Sequence, residues 1–431
     1  MKKRTLKLMA VAMVFALIFA FAALPASAEA TYQPVAGENT TFSKYLIVDA
    51  DTHIPNVTFN FSIAPITTGK SATANTVAVY APDDAGVTGT PTITSPTFTS
   101  DTTNTPTYTA IQTDDQGKLT LDTGKKYAAK TVTVDFSGVR FPEPGIYRYV
   151  VTEAAATGAY THDTQNTGGT DRTRYLDVYV TDSNDGNGTL AVSSYVLHKN
   201  DGTVTANNTS GSGDVQTAGA AVADKSASYV NVYTTKDLAF SKKVEGNQAS
   251  RDKYFKYTVT ITGLTEGDTY TVDLSNAVAS ISADPNEATT VIDNAVTQPA
   301  TLTVAAGETS ITQDFYLQHG QSIKILGLPT TATYTVVEDE EDYKKTANND
   351  LVAVPAQGTE GQDGYVAPVL YDDQTTGTMT NDTYVGFTNT RDGIVPTGVL
   401  LTIAPFAIGL LLFGALAVFL IARKKRRTED E

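Results

Sequence analysis

The chain has 431 residues, 47 acidic against 31 basic, a formal net charge of −16 at pH 7, and no cysteine. An acidic balance of this size repels nucleic acid and anionic lipid, which excludes nucleic acid as a partner. The missing cysteine excludes disulfides, thiolate metal sites and thiol nucleophiles, so resistance to unfolding has to come from another device.

Taken in chain order, residues 1–28 read as a signal peptide. Lys2, Lys3, Arg4 and Lys7 form a basic start, Leu8 to Leu24 an apolar run, and Ala26-Ser27-Ala28 a small-x-small cleavage site. Residues 29–393 are dominated by strand signals that alternate apolar and polar residues: "YRYVVTE", "TRYLDVYVT", "AVSSYVLH", "YFKYTVTITG" and "ATYTVVE". Turn residues such as "EPG" and "NDGNG" separate them, and the pattern predicts an all-β protein of two tandem immunoglobulin-like β-sandwich domains. Two stretches without regular patterning, 66–120 and 200–228, read as long surface loops, with room for short added strands in the first.

An internal repeat sets the domain boundary near Thr235, giving an N-terminal domain over 29–235 and a C-terminal domain over 236–393. "TFSKYL" around Lys44 returns as "AFSKKV" around Lys242, "YRYVVTE" ending at Glu153 returns as "YTVVE" ending at Glu338, and "YVNVYTT" around Asn231 is matched by "GFTNTRD" around Asn389. Each half therefore reads Lys, then Glu, then Asn.

Residues two apart in a strand share a face. Lys44 falls with Phe42, Leu46 and Val48, and Lys242 with Leu238, Phe240 and Val244. Glu153 falls with Tyr147, Tyr149 and Val151, Glu338 with Tyr334 and Val336, Asn231 with Tyr229 and Tyr233, and Asn389 with Phe387. All six are predicted to point into a core. Glu340 shares the face of Glu338 and is an alternative to it. A buried ammonium needs a partner or a chemical fate. A neutral lysine amine is a nucleophile, and a carboxyl group beside it can polarise the side-chain carbonyl of an asparagine and shuttle protons while ammonia leaves.

No HExxH-type spacing occurs, and His53, His162, His198 and His319 are scattered, so neither a metal nor a cofactor is expected. "DSNDGNG" from Asp182 has Gly186 where a calcium loop needs a third ligand, and it reads as a hairpin turn. No nucleophile elbow or phosphate loop is present, which argues against a hydrolase.

Residues 394–431 begin with Val395-Pro396-Thr397-Gly398, continue as an apolar run from Val399 to Ala422 long enough to span a bilayer, and end in Arg423, Lys424, Lys425, Arg426 and Arg427. With "FPEPGIYRYVVTE", "GQSIKILGLPTTATYTVVED", "FTNTRDG" and "VLLTIAPF", the chain resembles the shaft-forming major pilins of Gram-positive bacteria, with their streptococcal pilin isopeptide linkage domains. The resemblance implies Lys44–Asn231 and Lys242–Asn389 isopeptide bonds, assisted by Glu153 and Glu338.

It also implies a cell-wall sorting signal. A pilus sortase would cut after Thr397 and pass the subunit to a lysine of the next copy, Lys225 or, failing that, Lys199. The further implied partners are minor tip and base pilins and peptidoglycan, with the membrane run holding the chain transiently. A monomeric wall-anchored adhesin would use the same signal. Peptide mapping of wall-extracted protein should find Thr397 as the last residue, in amide linkage; Gly398 and Val399 still attached would overturn this.

Overall fold

Alternating Val, Ile, Thr and Tyr residues form strands because branched and aromatic side chains pack well on a pleated surface with one face dry. The computed structural model describes residues 32–73, 76–100, 107–162, 172–183, 185–205, 225–282, 295–339, 343–350 and 374–393. The signal peptide expected over 1–28, the sorting signal expected over 394–431, and Glu340 lie outside the described residues. Among those described, no helix is long and apolar enough to cross a membrane.

The first sandwich contains β1 (Asn39–Asp49), β2 (Phe61–Pro65), β3 (Lys125–Asp135), β4 (Gly145–Glu153), β5 (Tyr160–His162), β6 (Thr173–Asp182), β7 (Leu190–His198) and β8 (Ser228–Tyr233). One sheet has the order β7-β6-β4-β2, and the other runs β5-β8-β1-β3 with the short strand Thr92–Ile93 at its edge. The second sandwich contains β9 (Thr235–Glu245), β10 (Phe255–Thr262), β11 (Thr269–Asp273), β12 (Thr301–Thr303), β13 (Ser310–Leu317), β14 (Ser322–Pro329), β15 (Thr333–Asp339), β16 (Lys344–Asp350), β17 (Gln374–Thr378) and β18 (Thr383–Thr390). Its sheets are β12-β11-β14-β9-β18-β16 and β13-β10-β15-β17. The architecture is thus all-β, two immunoglobulin-like sandwiches in tandem.

In each sandwich the first long strand lies beside the last. β8 pairs with β1 in parallel, Tyr229 opposite Lys44 and Asn231 opposite Leu46, and β18 pairs with β9 in parallel, Phe387 opposite Lys242 and Asn389 opposite Val244. The offset between lysine and asparagine is the same in both. The core between the sheets is built from Phe42, Leu46, Val48, Tyr147, Tyr149 and Val151 in the first and from Phe240, Val244, Tyr257, Tyr334, Val336 and Phe387 in the second.

The stretch 66–120 carries the short strands Thr76–Val77, Thr92–Ile93, Thr97–Phe98 and Thr107–Tyr108, and it also covers the outer faces of both sheets. Ile66, Val77, Val79 and Ala81 pack on Ile146 of β4, with Tyr80 hydrogen-bonding the backbone on both sides of Tyr147. On the other sheet, Leu119 packs with Tyr45, Ile47 and Tyr127, and the buried Asp115 accepts hydrogen bonds from the Tyr45 and Tyr127 hydroxyls. These apolar residues are spread through a Thr- and Asp-rich stretch without a strand period, which is why the sequence reads it as loop. The turn at Asp182–Gly188 is held by Asp185, which accepts from Asn187 N–H and from the Thr189 hydroxyl.

The two sandwiches meet through polar contacts. The Asn56 N–H donates to Asp268 Oδ1 at 2.6 Å, Asn56 Nδ2 to the Glu266 carbonyl at 3.0 Å, and Thr269 N–H to Ser100 Oγ at 3.0 Å. A Cβ on Gly267 would lie 2.7 Å from Asn56 Nδ2, so the approach requires glycine there, at φ of +78°. Burial pushes the Asp268 carboxyl up to about 6, only partly offset by hydrogen bonds from Asn56 and Tyr270. A carboxyl raised in the folded state contributes stability that is complete below the unfolded value and is lost as pH rises through about 6. Thermal unfolding should therefore show the protein losing stability from pH 5 to pH 7.5, while Asp268→Asn removes most of that loss; an identical pH dependence in the variant would contradict it.

Candidate functional site

The six polar residues that the sequence directs inward are all buried. Lys44 is 0%, Glu153 1%, Asn231 0%, Lys242 1%, Glu338 0% and Asn389 0% exposed. The alternation that places them is complete on both faces of β1: Phe42, Lys44, Leu46 and Val48 face the sandwich interior, while Tyr45 and Ile47 lie under the 107–121 segment. β4 is similar, with Tyr147, Tyr149, Val151 and Glu153 inside and Ile146 outside under the strap at 66–81.

Each set bridges the two sheets. Lysine and asparagine come from adjacent parallel strands of one sheet, and the glutamate comes from the facing sheet, at the end of β4 or in β15. Lys44 Nζ donates to Glu153 Oε1 at 2.9 Å and to Oε2 at 2.8 Å, and Asn231 Nδ2 donates to Oε1 at 2.7 Å. In the second sandwich Lys242 Nζ donates to Glu338 Oε1, and Asn389 Nδ2 donates to the same oxygen at 2.6 Å. Burial raises the Glu338 carboxyl above its ordinary value, and the positive charge of Lys242, the hydrogen bonds from Lys242 and Asn389, and Lys345 pull it only partly back.

The amines are walled off by aromatic rings. Lys44 Nζ sits 4.4 Å from the centroid of Phe59, and Lys242 Nζ 4.0 Å from that of Phe255. Phe61 is the cross-strand partner of Glu153 and Tyr257 that of Glu338, so each glutamate shares its sheet face with a neighbouring ring. Because these groups are buried in an apolar core, the ion pair and its amide neighbour interact strongly, and separated charge is costly.

In both sets the asparagine presents its NH₂ to the glutamate, while its carbonyl oxygen, Asn231 Oδ1 or Asn389 Oδ1, is buried without a hydrogen-bond partner. Such an orphaned acceptor costs about 1–3 kcal/mol and calls for an explanation. Chemically, each arrangement can move a proton from ammonium to carboxylate, turning a buried ion pair into a neutral amine and a neutral acid beside an amide.

Sequence reasoning missed two further residues at these sites. His162 is the cross-strand partner of Asn231, and Lys345 is that of Asn389. It also missed a buried ion pair on the outer face of the first sandwich. Arg148 Nε and Nη2 donate to Asp177 Oδ1 and Oδ2 at 2.6 and 2.8 Å, and Arg148 Nη1 donates to Asp201. Burial pushes Asp177 up, but the bonds from Arg148 and His198 outweigh it and leave the carboxyl below its ordinary value. The register Arg148 opposite Asp177 is the signal that would have found this pair, and a single strand does not carry it.

Of the two lysines that the resemblance offers as acceptors, Lys225 is exposed and fixed in place by a bridge to His198 and by the Ser226 N–H bond to the Leu197 carbonyl. Lys199 is half-buried and engaged in contacts of its own. Val395–Gly398, expected from the sequence to be a sortase motif, lies outside the described residues.

Comparison with known proteins gives three kinds of match. A family model described as a domain of unknown function (DUF7601) covers residues 236–391. A curated protein named pilin, from Streptococcus pyogenes serotype M1, is 29% identical over 301 residues, covering 68% of this chain and 72% of that protein. Among solved structures, a crystal structure of the major pilin from S. pyogenes aligns with 21% identity and a TM-score of 0.47, covering 83% of this chain and 100% of the other. The major pilin T3.2 of S. pyogenes aligns with 19% identity and a TM-score of 0.46, covering 83% and 99%.

Proposed function

We propose that this chain is the major structural subunit of a sortase-assembled pilus on a Gram-positive cell wall, joined covalently head to tail and locked inside each domain by a Lys–Asn isopeptide bond. The observation that carries this reading is the twofold occurrence of a fully buried Lys–Glu–Asn set at the same register between the first and last strands. The similarity to a curated pilin supports it.

The chemistry follows from the contacts. One proton passes from Lys44 Nζ to the Glu153 carboxylate, and the neutral amine attacks the side-chain carbonyl carbon of Asn231. The carbonyl oxygen takes the negative charge. Glu153, already hydrogen-bonded to the Asn231 NH₂, delivers a proton to that nitrogen, the carbon–nitrogen bond breaks, and ammonia leaves. The new amide nitrogen gives its second proton to the Glu153 carboxylate, which ends as a neutral acid, while the ammonia departs uncharged. The product is a neutral amide, so the desolvation cost of a buried ion pair disappears as the bond forms. Lys242, Glu338 and Asn389 act in the same way. No cofactor enters, and the chain modifies only itself.

A bond between the first and last strands closes nearly a whole domain in one loop. In the loop-entropy model, developed for disulfides, so long a link stabilises by about 4–5 kcal/mol. It also prevents the terminal strands from peeling apart under tension, which suits a shaft subunit made without cysteine.

Intact mass spectrometry should find the full chain lighter by one ammonia for each of the two bonds. Glu153→Ala should restore one ammonia and leave the bond of the second domain intact; a mass equal to that of the wild type would remove Glu153 from its role.

Between subunits, the exposed and anchored Lys225 is the acceptor for Thr397 of the next copy. Lys225→Arg keeps the charge but removes a usable nucleophile. Co-expressed with the cognate sortase, the wild type should give a ladder of SDS-resistant high-mass bands and Lys225→Arg a single band. A persisting ladder would move the acceptor to Lys199 or another lysine, and a single band from the wild type itself would identify a monomeric wall protein.

A further inference from the structure

Attack on an amide carbonyl creates an oxyanion, and that oxygen needs a hydrogen-bond donor. In both sets the glutamate takes the amine and the asparagine NH₂, through both oxygens of Glu153 but through Oε1 alone of Glu338, whose Oε2 has no partner, and the carbonyl oxygens of Asn231 and Asn389 are buried without a partner. The proton that each glutamate takes up is used on the leaving nitrogen, so a donor for the oxyanion is best supplied by another side chain that faces the same point.

Directly opposed residues of a ladder project from the same face of the sheet. The residue opposite Asn231 is His162 on β5, and the residue opposite Asn389 is Lys345 on β16. Both carry N–H groups. Two unrelated residue types at the same position of two sandwiches share that property.

The His162 ring is oriented by its surroundings. Its Nε2 accepts the Ala156 N–H at 3.1 Å, so in the neutral ring the proton sits on Nδ1. Nδ1 is buried without a hydrogen-bond partner and lies 3.7 Å from Glu153 Oε1, the oxygen that holds the Asn231 NH₂. The Asn231 side chain is among the groups that act on the ring, together with Glu153, Lys44 and Arg172. Burial is the largest influence and keeps the ring below its ordinary value, hence neutral at pH 7 with the Nδ1 proton in place.

Resting on the isopeptide reading above, we propose that His162 and Lys345 are the fourth members of the two bond-forming sets, each donating an N–H to the asparagine carbonyl oxygen as it becomes an oxyanion. The lysine amine, the glutamate and the departing ammonia account for every proton transferred. The fourth residue gives up no proton and is unchanged at the end. Its part is to hold the asparagine with its carbon open to the amine and to stabilise the charge that develops on oxygen.

The test follows both bonds in one molecule. Newly synthesised full-length chain from cell-free translation is sampled over time at pH 7, quenched in denaturant and digested, and the Lys44–Asn231 and Lys242–Asn389 linked peptides are quantified separately. His162→Leu should slow the first bond by about tenfold or more while the second forms at its normal rate. His162→Gln, which restores a side-chain N–H, should recover most of the rate, whereas a merely structural role would leave Gln as slow as Leu. Lys345→Met is the independent arm, expected to slow only the second bond, and it still decides if the histidine variants do not fold. Wild-type rates in the leucine and methionine variants, or no recovery with glutamine, would overturn the proposal. A wild-type chain that forms neither bond would instead overturn the isopeptide reading beneath it.

Discussion

The organising constraint is the burial of a lysine, a glutamate and an asparagine together in each apolar core. A single ammonium taken out of water costs several kcal/mol, and an unpaired carboxylate costs as much. The set is tolerable because Lys44 gives two hydrogen bonds to Glu153 and Asn231 gives a third, while in the second sandwich Lys242 and Asn389 both donate to Glu338 Oε1. Any shift that separates the two sheets would leave a charge in hydrocarbon, so the polar set fixes the spacing of the sandwich.

That requirement reaches the strand order. Lysine and asparagine can meet only if the first and last long strands of a domain are neighbours, and they are, as the parallel pairs β1/β8 and β9/β18. Antiparallel neighbours hold the rest together through local hairpins, but the parallel pair has no short connection, and its ends are far apart in the chain. A covalent tie there removes more freedom from the unfolded chain than a tie across any hairpin.

The outer faces carry the rest of the burden. β1 and β4 bury residues on both sides, which an immunoglobulin-like sandwich with solvated outer faces would not require. The segments at 66–81 and 107–121 supply the cover, anchored by Tyr80 on β4 and by Asp115 between the hydroxyls of Tyr45 and Tyr127. The Arg148–Asp177 pair lies on the outer face of β4 and β6 and reaches Asp201, so charge there is paired as it is inside. Lys225 is exposed beside the end of β7, on a backbone held by Leu197 and His198.

The strand class, the twofold repeat and the inward direction of Lys44, Glu153, Asn231, Lys242, Glu338 and Asn389 are legible in the amino-acid order alone. These depend on a period of two along one strand and on the cost of placing a charged residue among apolar ones, and both are local properties. The tertiary structure decided what lies opposite what. That His162 faces Asn231, Lys345 faces Asn389 and Arg148 faces Asp177 depends on register between strands distant in the chain, which no single strand encodes. The strap over β4 was hidden for a related reason. Its apolar residues are spaced to meet a surface already built, and they follow no period of their own.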